Sequence, residues 1–316
     1  IIRKKNFWGY PEKTLSHIFD NCVQKSEIDY FGIYRDTGGD FLIWRWAETN
    51  NNDNVIIENI IKPLIRRYGS KFINIISLFV SHKMMKKYYA EKLCVNPNKI
   101  ILVNHHHSHA ETAIFNLDQN KDWLIFTVDA EGDQESGTIY ELKKNLLNKL
   151  ASIPREDSLG YFYTWITELL GMKPNEHEFK VMGLEPYVRK NTKEYKRVYK
   201  KISSLFFFNG MNYKARISMV SKKYKNWLKE NLFLERFDNI AAAAQKTFEF
   251  ITINWIKKWI EKKQIYNIAV SGGSFMNVKT CQKILELQEV NDLYVVPSSG
   301  DETTALGVCS VLDMYI

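Results

Sequence analysis

The chain has 316 residues, of which 45% are hydrophobic, 14% aromatic and 25% charged, the composition of a folded globular protein of one large or two medium domains and not of a disordered or fibrous one. Forty-four Lys and Arg against 36 Asp and Glu leave a net charge of +8; this suits an anionic ligand, but Lys-rich solvated helix faces over 179–230 and 256–263 account for it, and no aromatic RNP-type motif of an RNA binder is present. No apolar run nears the roughly 18 residues of a membrane span, and the start at Ile1 carries no signal-peptide core, so the expectation is a cytoplasmic protein with no membrane or nucleic-acid partner.

Residues 11–24 read as a short amphipathic helix, and 28–35 as a strand entering the polar loop 36–40. A helix over 54–67, interrupted by Pro63, is followed by a β-branched apolar run over 72–81 that suits a buried strand. A Lys-rich helix (83–92), a strand (99–104) and a helix (107–116) complete a first lobe, 1–119. The pattern restarts with a strand over 122–133 and a hairpin partner over 136–145, which opens a second lobe, 120–316. Within it, 158–263 reads as a mostly helical insertion whose last helix has Asp238 as a candidate cap. A strand (266–273), a helix (276–287), a strand (292–297) and a helix (302–314) close the chain, giving an α/β fold of two similar halves without a short internal repeat.

Cys22, Cys94, Cys281 and Cys309 are widely separated and form no C-x-x-C pair, which predicts reduced, buried thiols and neither a zinc knuckle nor a disulfide frame. The sharpest signal is Asn104-His105-His106-His107-Ser108-His109, because four of the seven histidines fall within five positions between a strand and a helix. A helix beginning by His105 would project His105 and His109, four apart, from one face, the spacing at which two imidazoles share a metal; His106 and His107 would point elsewhere. A surface His run is the competing explanation. A neutral imidazole pair needs further ligands, and carboxylates are the expected suppliers.

The strand 122–133 ends in Asp129-Ala130-Glu131-Gly132-Asp133, and a carboxylate at a strand's C-terminal end sits where α/β folds bind ligands. Asp129 is the natural metal-ligand candidate, and Asp133 is placed to meet a phosphate through a hydrated cation or a hydroxyl acceptor; an ordinary acidic turn explains both equally well. Ser271-Gly272-Gly273-Ser274-Phe275-Met276-Asn277 joins a strand to a helix through two glycines, a place for a nucleotide against bare backbone, although capping by Ser274 explains part of it. Gly300-Asp301 repeats the theme after the next strand. Lys180, in the polar stretch 174–184, is a cation suited to an anionic substrate or merely to a helix end. Three strand-end turns and a His pair together describe a nucleotide-and-metal cleft of the actin-like ATPase (ribonuclease H-like) class.

These residues carry a resemblance. HHHSHAETA (105–113), LIFTVDAEGD (124–133), SLGYFYTWITELLGMKPNEHEFKVMGLEPY (158–187), AVSGGSFMN (269–277) and PSSGDETTALG (297–307) resemble, in the same order, the N-terminal domain of the nodulation-protein and cephamycin-type O-carbamoyltransferases, whose structural relatives are the metalloproteins of tRNA threonylcarbamoyladenosine synthesis. The resemblance implies an actin-like fold that binds carbamoyl-adenylate, made from carbamoyl phosphate and ATP, and transfers the carbamoyl group to a hydroxyl of a small-molecule acceptor, with a divalent metal, Fe2+ by expectation. It implies His105, His109, Asp129 and Asp301 as metal ligands, Gly272, Gly273 and Asn277 as adenosine contacts with Ser274 and Gly300 beside them, and Lys5 and Lys180 as basic groups near the transferred carbamoyl.

Departures from the family pattern at His107, Ser108, Glu111, Ala130-Glu131 and Thr303-Thr304 add acids near the implied metal. The family's opening strand and its C-terminal YrdC-like domain, which makes the adenylate, have no counterpart here, so the chain is expected to be inactive alone; a homodimer is left open. Alternative readings are a nucleotide-binding module of the same fold and the tRNA-modifying relative. PNEHEFKVMGLEPY (174–187) speaks for the carbamoyltransferases against the latter.

Overall fold

A computed structural model describes residues 12–34, 82–83 and 85–315. Lys5, the helix expected over 54–67 and the strand expected over 72–81 lie outside the described residues. The chain divides into two compact units, 1–102 and 103–316.

In the first unit the helix Glu12–Asn21 and a helix over 85–93 accompany two short parallel strands, β1 (Phe31–Ile33) and β2 (Ile100–Leu102), paired Phe31 to Ile100 and Ile33 to Leu102. Ala90, Leu93 and Ile100 are buried against Leu15, Phe19 and Phe31, and Lys99 Nζ donates to the Ile28 carbonyl.

The second unit is organised by a five-stranded sheet in the order β5-β4-β3-β8-β9, with β3 (Trp123–Gly132), β4 (Glu135–Lys143), β5 (Leu146–Pro154), β8 (Asn267–Ser271) and β9 (Asp292–Val295). The β3/β4 and β4/β5 pairs are antiparallel, while β3/β8 and β8/β9 are parallel. Counted within the sheet this is the order 3-2-1-4-5, the sheet of an actin-like, ribonuclease H-like α/β fold. β3 stands at its centre and is apolar throughout its first half because both its faces are covered.

Alternation along β3 decides which side chain goes where. Leu124, Phe126 and Val128 join the larger core under the helices Leu159–Leu169 and Phe237–Lys263, where Phe126 meets Trp255 edge-on at 5.1 Å. Trp123 and Ile125 point the other way and pack with Tyr140 and Ala269 beneath Ala110 and Ala113 of the helix His105–Ile114. That helix, assigned by the sequence to the first lobe, lies within the second compact unit: Thr112 Oγ1 donates to the Thr303 carbonyl at the start of the helix Thr304–Asp313.

The stretch 158–263 is not helical throughout. β6 (Phe206–Asn209) and β7 (Asn212–Ala215) form a hairpin turning at Gly210, φ +63°, and its Phe206 and Tyr213 are buried in the larger core. Asp238 does not cap the long helix; Arg236 holds the cap position, and its guanidinium reaches Asp238 at 2.9 Å. The four thiols are free, but Cys281 alone is buried, and Cys22, Cys94 and Cys309 are exposed, since without a partner or a core position nothing forces them inward. Among the described residues no helix is long and apolar enough to cross a membrane.

Candidate metal centre

Two residues define the start of the helix that carries the histidines. Asn104 Oδ1 accepts the His107 amide at 3.0 Å, and the first helical amide, that of His105, donates to Asp133 Oδ2 at 2.6 Å. With the helix begun there, His105 and His109 lie one turn apart on a single face, their rings 4.7 Å apart, and both are buried. Asp129 arrives from β3: it continues the odd-numbered row of Trp123, Ile125 and Thr127, and so emerges on the sheet face that this helix covers. Asp301 comes from the turn after β9.

The four side chains converge. One ligand-type atom from each of His105, His109, Asp129 and Asp301 lies within 4.8 Å of every other. Asp129 Oδ2 is 3.6 Å from His105 Nε2 and 3.4 Å from His109 Nε2; Asp301 Oδ1 is 3.6 and 3.5 Å from the same atoms. These separations exceed an N–H···O hydrogen bond and match the roughly 3.4 Å edge of a tetrahedron with bonds of about 2.1 Å. His109 Nε2 is buried and makes no hydrogen bond, an arrangement that a ligand bond would satisfy. The cluster is closed by protein on the helix side and open at Asp301, whose side chain is 49% exposed. Two imidazoles and two carboxylates form an N/O donor set suited to a divalent first-row metal.

Electrostatics tie the four together. Burial works against a charged His109, but the carboxylates of Asp129 and Asp301 outweigh it and raise this imidazole to about 9. Burial likewise opposes ionisation of Asp129, yet the neighbouring His105 and His109 hold it well below the usual carboxylate range. His106 behaves oppositely. Burial, reinforced by the adjacent His105 and His109, keeps it well below its ordinary range, and its Nδ1 pairs with Thr127 Oγ1 at 2.8 Å in a chain continued by Thr138. It points into the sheet, away from the cluster.

The glycine turn abuts this site. Gly272 has φ +98°, and a Cβ there would strike the Val128 carbonyl. Ser274 lies in the short turn Gly273–Met276, and the cap of the following helix Val278–Leu285 is Asn277, whose Oδ1 accepts the Thr280 amide at 3.1 Å. Asn277 is further engaged with the fully buried Gln245, which also takes the Tyr163 hydroxyl and donates to Glu249. Nothing in the chain's spacing announced Gln245 or His106 as parts of the site's surroundings; the parity of β3 was the available signal for Thr127 and its partner.

The remaining candidates are placed as follows. Asp133 meets the His105 amide. Gly300 leads directly into Asp301 with φ −75°. Lys180 lies on the helix Glu178–Leu184, exposed, with Nζ 5.8 Å from the Phe179 ring centre. In the same segment, Glu185 pairs with both Lys190 and Lys279 at 2.6 Å, fastening the 174–187 stretch to the helix after the glycine turn.

The model of a family described as carbamoyltransferase N-terminus matches residues 2–309. The uncharacterized protein MJ1051 of Methanocaldococcus jannaschii is 31% identical over 312 residues, 97% of this chain and 50% of that protein. Nodulation protein NolNO of Sinorhizobium fredii is 28% identical over 220 residues, 69% of this chain and 32% of that protein. The chain thus spans about half or less of the length of these curated relatives. Among solved structures, full-length HypF in its phosphate- and nucleotide-bound form aligns with 14% identity and a TM-score of 0.38, covering 75% of this chain and 50% of that one. Component A of the Acidaminococcus fermentans (R)-2-hydroxyglutaryl-CoA dehydratase aligns with 12% identity and a TM-score of 0.44, covering 75% and 81%.

Proposed function

Because the chain belongs to the carbamoyltransferase N-terminus family, we propose that it is the transfer domain of an O-carbamoyltransferase, which takes carbamoyl-adenylate and passes its carbamoyl group to a hydroxyl of a small-molecule acceptor. The observation that carries this reading is the convergence of His105, His109, Asp129 and Asp301 beside a glycine turn. Carbamoyl phosphate and ATP would enter through a YrdC-like partner domain that makes the adenylate.

In the reaction the acceptor oxygen bonds to the carbamoyl carbon, the bond from that carbon to the phosphate oxygen breaks, AMP leaves with the electron pair, and the hydroxyl proton passes to water. A divalent ion such as Fe2+ held by the four side chains would supply Lewis-acid polarisation of a carbonyl or phosphoryl oxygen. His105 and His109 would offer their Nε2 atoms and Asp129 and Asp301 one oxygen each, the ion displacing the proton that the two carboxylates otherwise hold on His109, so that two negative charges balance a divalent cation. Asp129 keeps its ligand oxygen directed inward because its other oxygen, Oδ1, accepts the Ala130 amide at 2.7 Å. Gly272 and Gly273 leave the backbone bare for the adenosine, with Ser274, Asn277 and Gly300 lining its approach. Lys180 would stabilise charge on the departing phosphate.

The test is to mix purified chain with carbamoyl-adenylate and a panel of hydroxylated acceptors, and to follow carbamate ester and AMP by mass spectrometry. Carbamate formation that disappears in the His105→Ala/His109→Ala protein is expected. Tight nucleotide binding with no transfer to any acceptor would favour instead a nucleotide-binding module, the reading to which the Gly272–Gly273 turn alone would lead.

A further inference from the structure

The β3–β4 turn does more than reverse the chain. Its two central residues, Asp133 and Gln134, have φ of +53° and +68°, the pair of left-handed conformations of a type I′ hairpin. Asn-Gly or Asp-Gly would adopt it without strain; glutamine pays for it in conformational energy. Such strain persists where the surroundings over-determine the backbone, and here they do. Gln134 is held by its carbonyl, which accepts the Arg155 amide at 3.1 Å, and Arg155 Nη1 reaches back to Glu131 at 2.8 Å.

What the braced turn presents is a seat for His105. A Cβ on Gly132 would occupy the space of the His105 ring, so the glycine exists as an opening into which the imidazole fits. One residue on, Asp133 Oδ2 accepts the His105 backbone amide at 2.6 Å while lying in the interior. The ring and the main chain of one residue are therefore both gripped by two consecutive residues of a turn 27 and 28 positions away. Asp129, on the same strand, is set by the same piece of backbone.

We infer that Gly132 and Asp133 are positioning residues for the metal centre: Asp133 holds the His105 main chain, Gly132 admits its ring, and the turn thereby sets the distance between the Nε2 of His105 and the carboxylate of Asp129. This rests on the metal reading of the four-residue cluster. Asp133 is accordingly not a contact to phosphate but the anchor of a ligand. The carboxylate also suits its place at the first turn of a helix, where the amides and the helix dipole favour an anion. A capping role alone would stabilise the helix without concern for what His105 does, and the two roles separate experimentally.

The experiment uses the full chain and Co2+ as a spectroscopic probe, with titration followed by the visible ligand-field bands and urea unfolding of the metal-free proteins in parallel. Asp133→Ala is expected to weaken Co2+ by about 10- to 100-fold, as loss of a ligand-orienting partner does, and to shift the bands. Asp133→Asn, which keeps an oxygen acceptor for the His105 amide, recovers most of the affinity and the wild-type spectrum. Gly132→Ala, which displaces the ring itself, changes the bands even where Asp133→Asn does not. An Asp133→Ala protein with wild-type affinity and spectrum overturns the inference, as does one whose loss of affinity only mirrors its loss of metal-free stability while the residual spectrum is unchanged. Wild-type protein that binds no Co2+ at all overturns the metal reading beneath it, a result distinguishable from the other two.

Discussion

Gly273 stands against Asp129: a Cβ on the glycine would lie 3.3 Å from the carboxylate's Oδ1. The turn that would meet the nucleotide and the strand end that would meet the metal are thus one packed unit, and a change in either is felt by both. Gly272→Ala tests this most severely, because φ +98° and the Val128 carbonyl both forbid a side chain. It is expected to cost about 2 kcal/mol or more in urea unfolding and to weaken metal and nucleotide binding together. A stable variant that loses nucleotide but retains full metal affinity would show the two to be independent.

Elemental analysis of the purified chain gives a second test. His109→Ala and Asp129→Asn each remove one of four converging donors, and bound divalent metal is expected to fall to background in both. Lys180→Ala, exposed on its own helix, should retain the metal of the wild type. Equal metal content in all four proteins would rule out the cluster.

The fastening at Glu185 carries a pH dependence. Burial alone would raise its carboxyl, but Lys190 and Lys279 outweigh burial and lower it from 4.5. A carboxyl lowered in the folded state contributes stability that is fully present above the unfolded value, here 4.5, and is lost as pH falls through the folded one. Glu185→Gln should therefore melt below the wild type at pH 7, by less than about 1 kcal/mol because the lysine partners are partly exposed and screened by solvent, with the two curves converging as pH falls below 4.5. A gap that persists unchanged to pH 3 would assign the difference to packing instead.

Gln245 offers a fourth test. It is fully buried and engages Asn277, Tyr163 and Glu249, so Gln245→Leu strands several polar groups at once. A loss of about 1–3 kcal/mol per group left unpaired is expected, together with weaker nucleotide binding through Asn277 at the end of the glycine turn. Calorimetric unfolding and nucleotide titration of the variant read the two effects separately.

How far these features were legible beforehand depends on whether they are local. His105 and His109 were visible because helical spacing is a short-range property, and Asp129 because a strand's apolar run ends visibly at it. The hairpin at 206–215 also had a local signal, Asn209-Gly210 between aromatic runs, which the helical character of its flanks obscured. Asp133 and Asn277 were different. Each has the chemistry of a ligand contact, and which amide it meets is decided by a partner brought in by the fold: His105, 28 positions away, and Gln245, 32 positions away. The placement of His105–Ile114 in the second unit followed from Ala110 and Ala113 fitting the face of β3 opposite the main core, a preference that reading in chain order does not reveal.

The four converging donors come from positions 105, 109, 129 and 301, and so from a helix, a central strand and the turn after an edge strand. An ion held by all four would be a crosslink between segments nearly 200 residues apart in the chain. Since it would bind the folded form and not the unfolded one, the melting temperature of this protein would gauge the free metal around it: at one hundred times the dissociation constant the gain is about 2.7 kcal/mol. Chelator added to the loaded protein would then lower the whole second unit's resistance to heat and protease, well beyond the few residues that touch the ion.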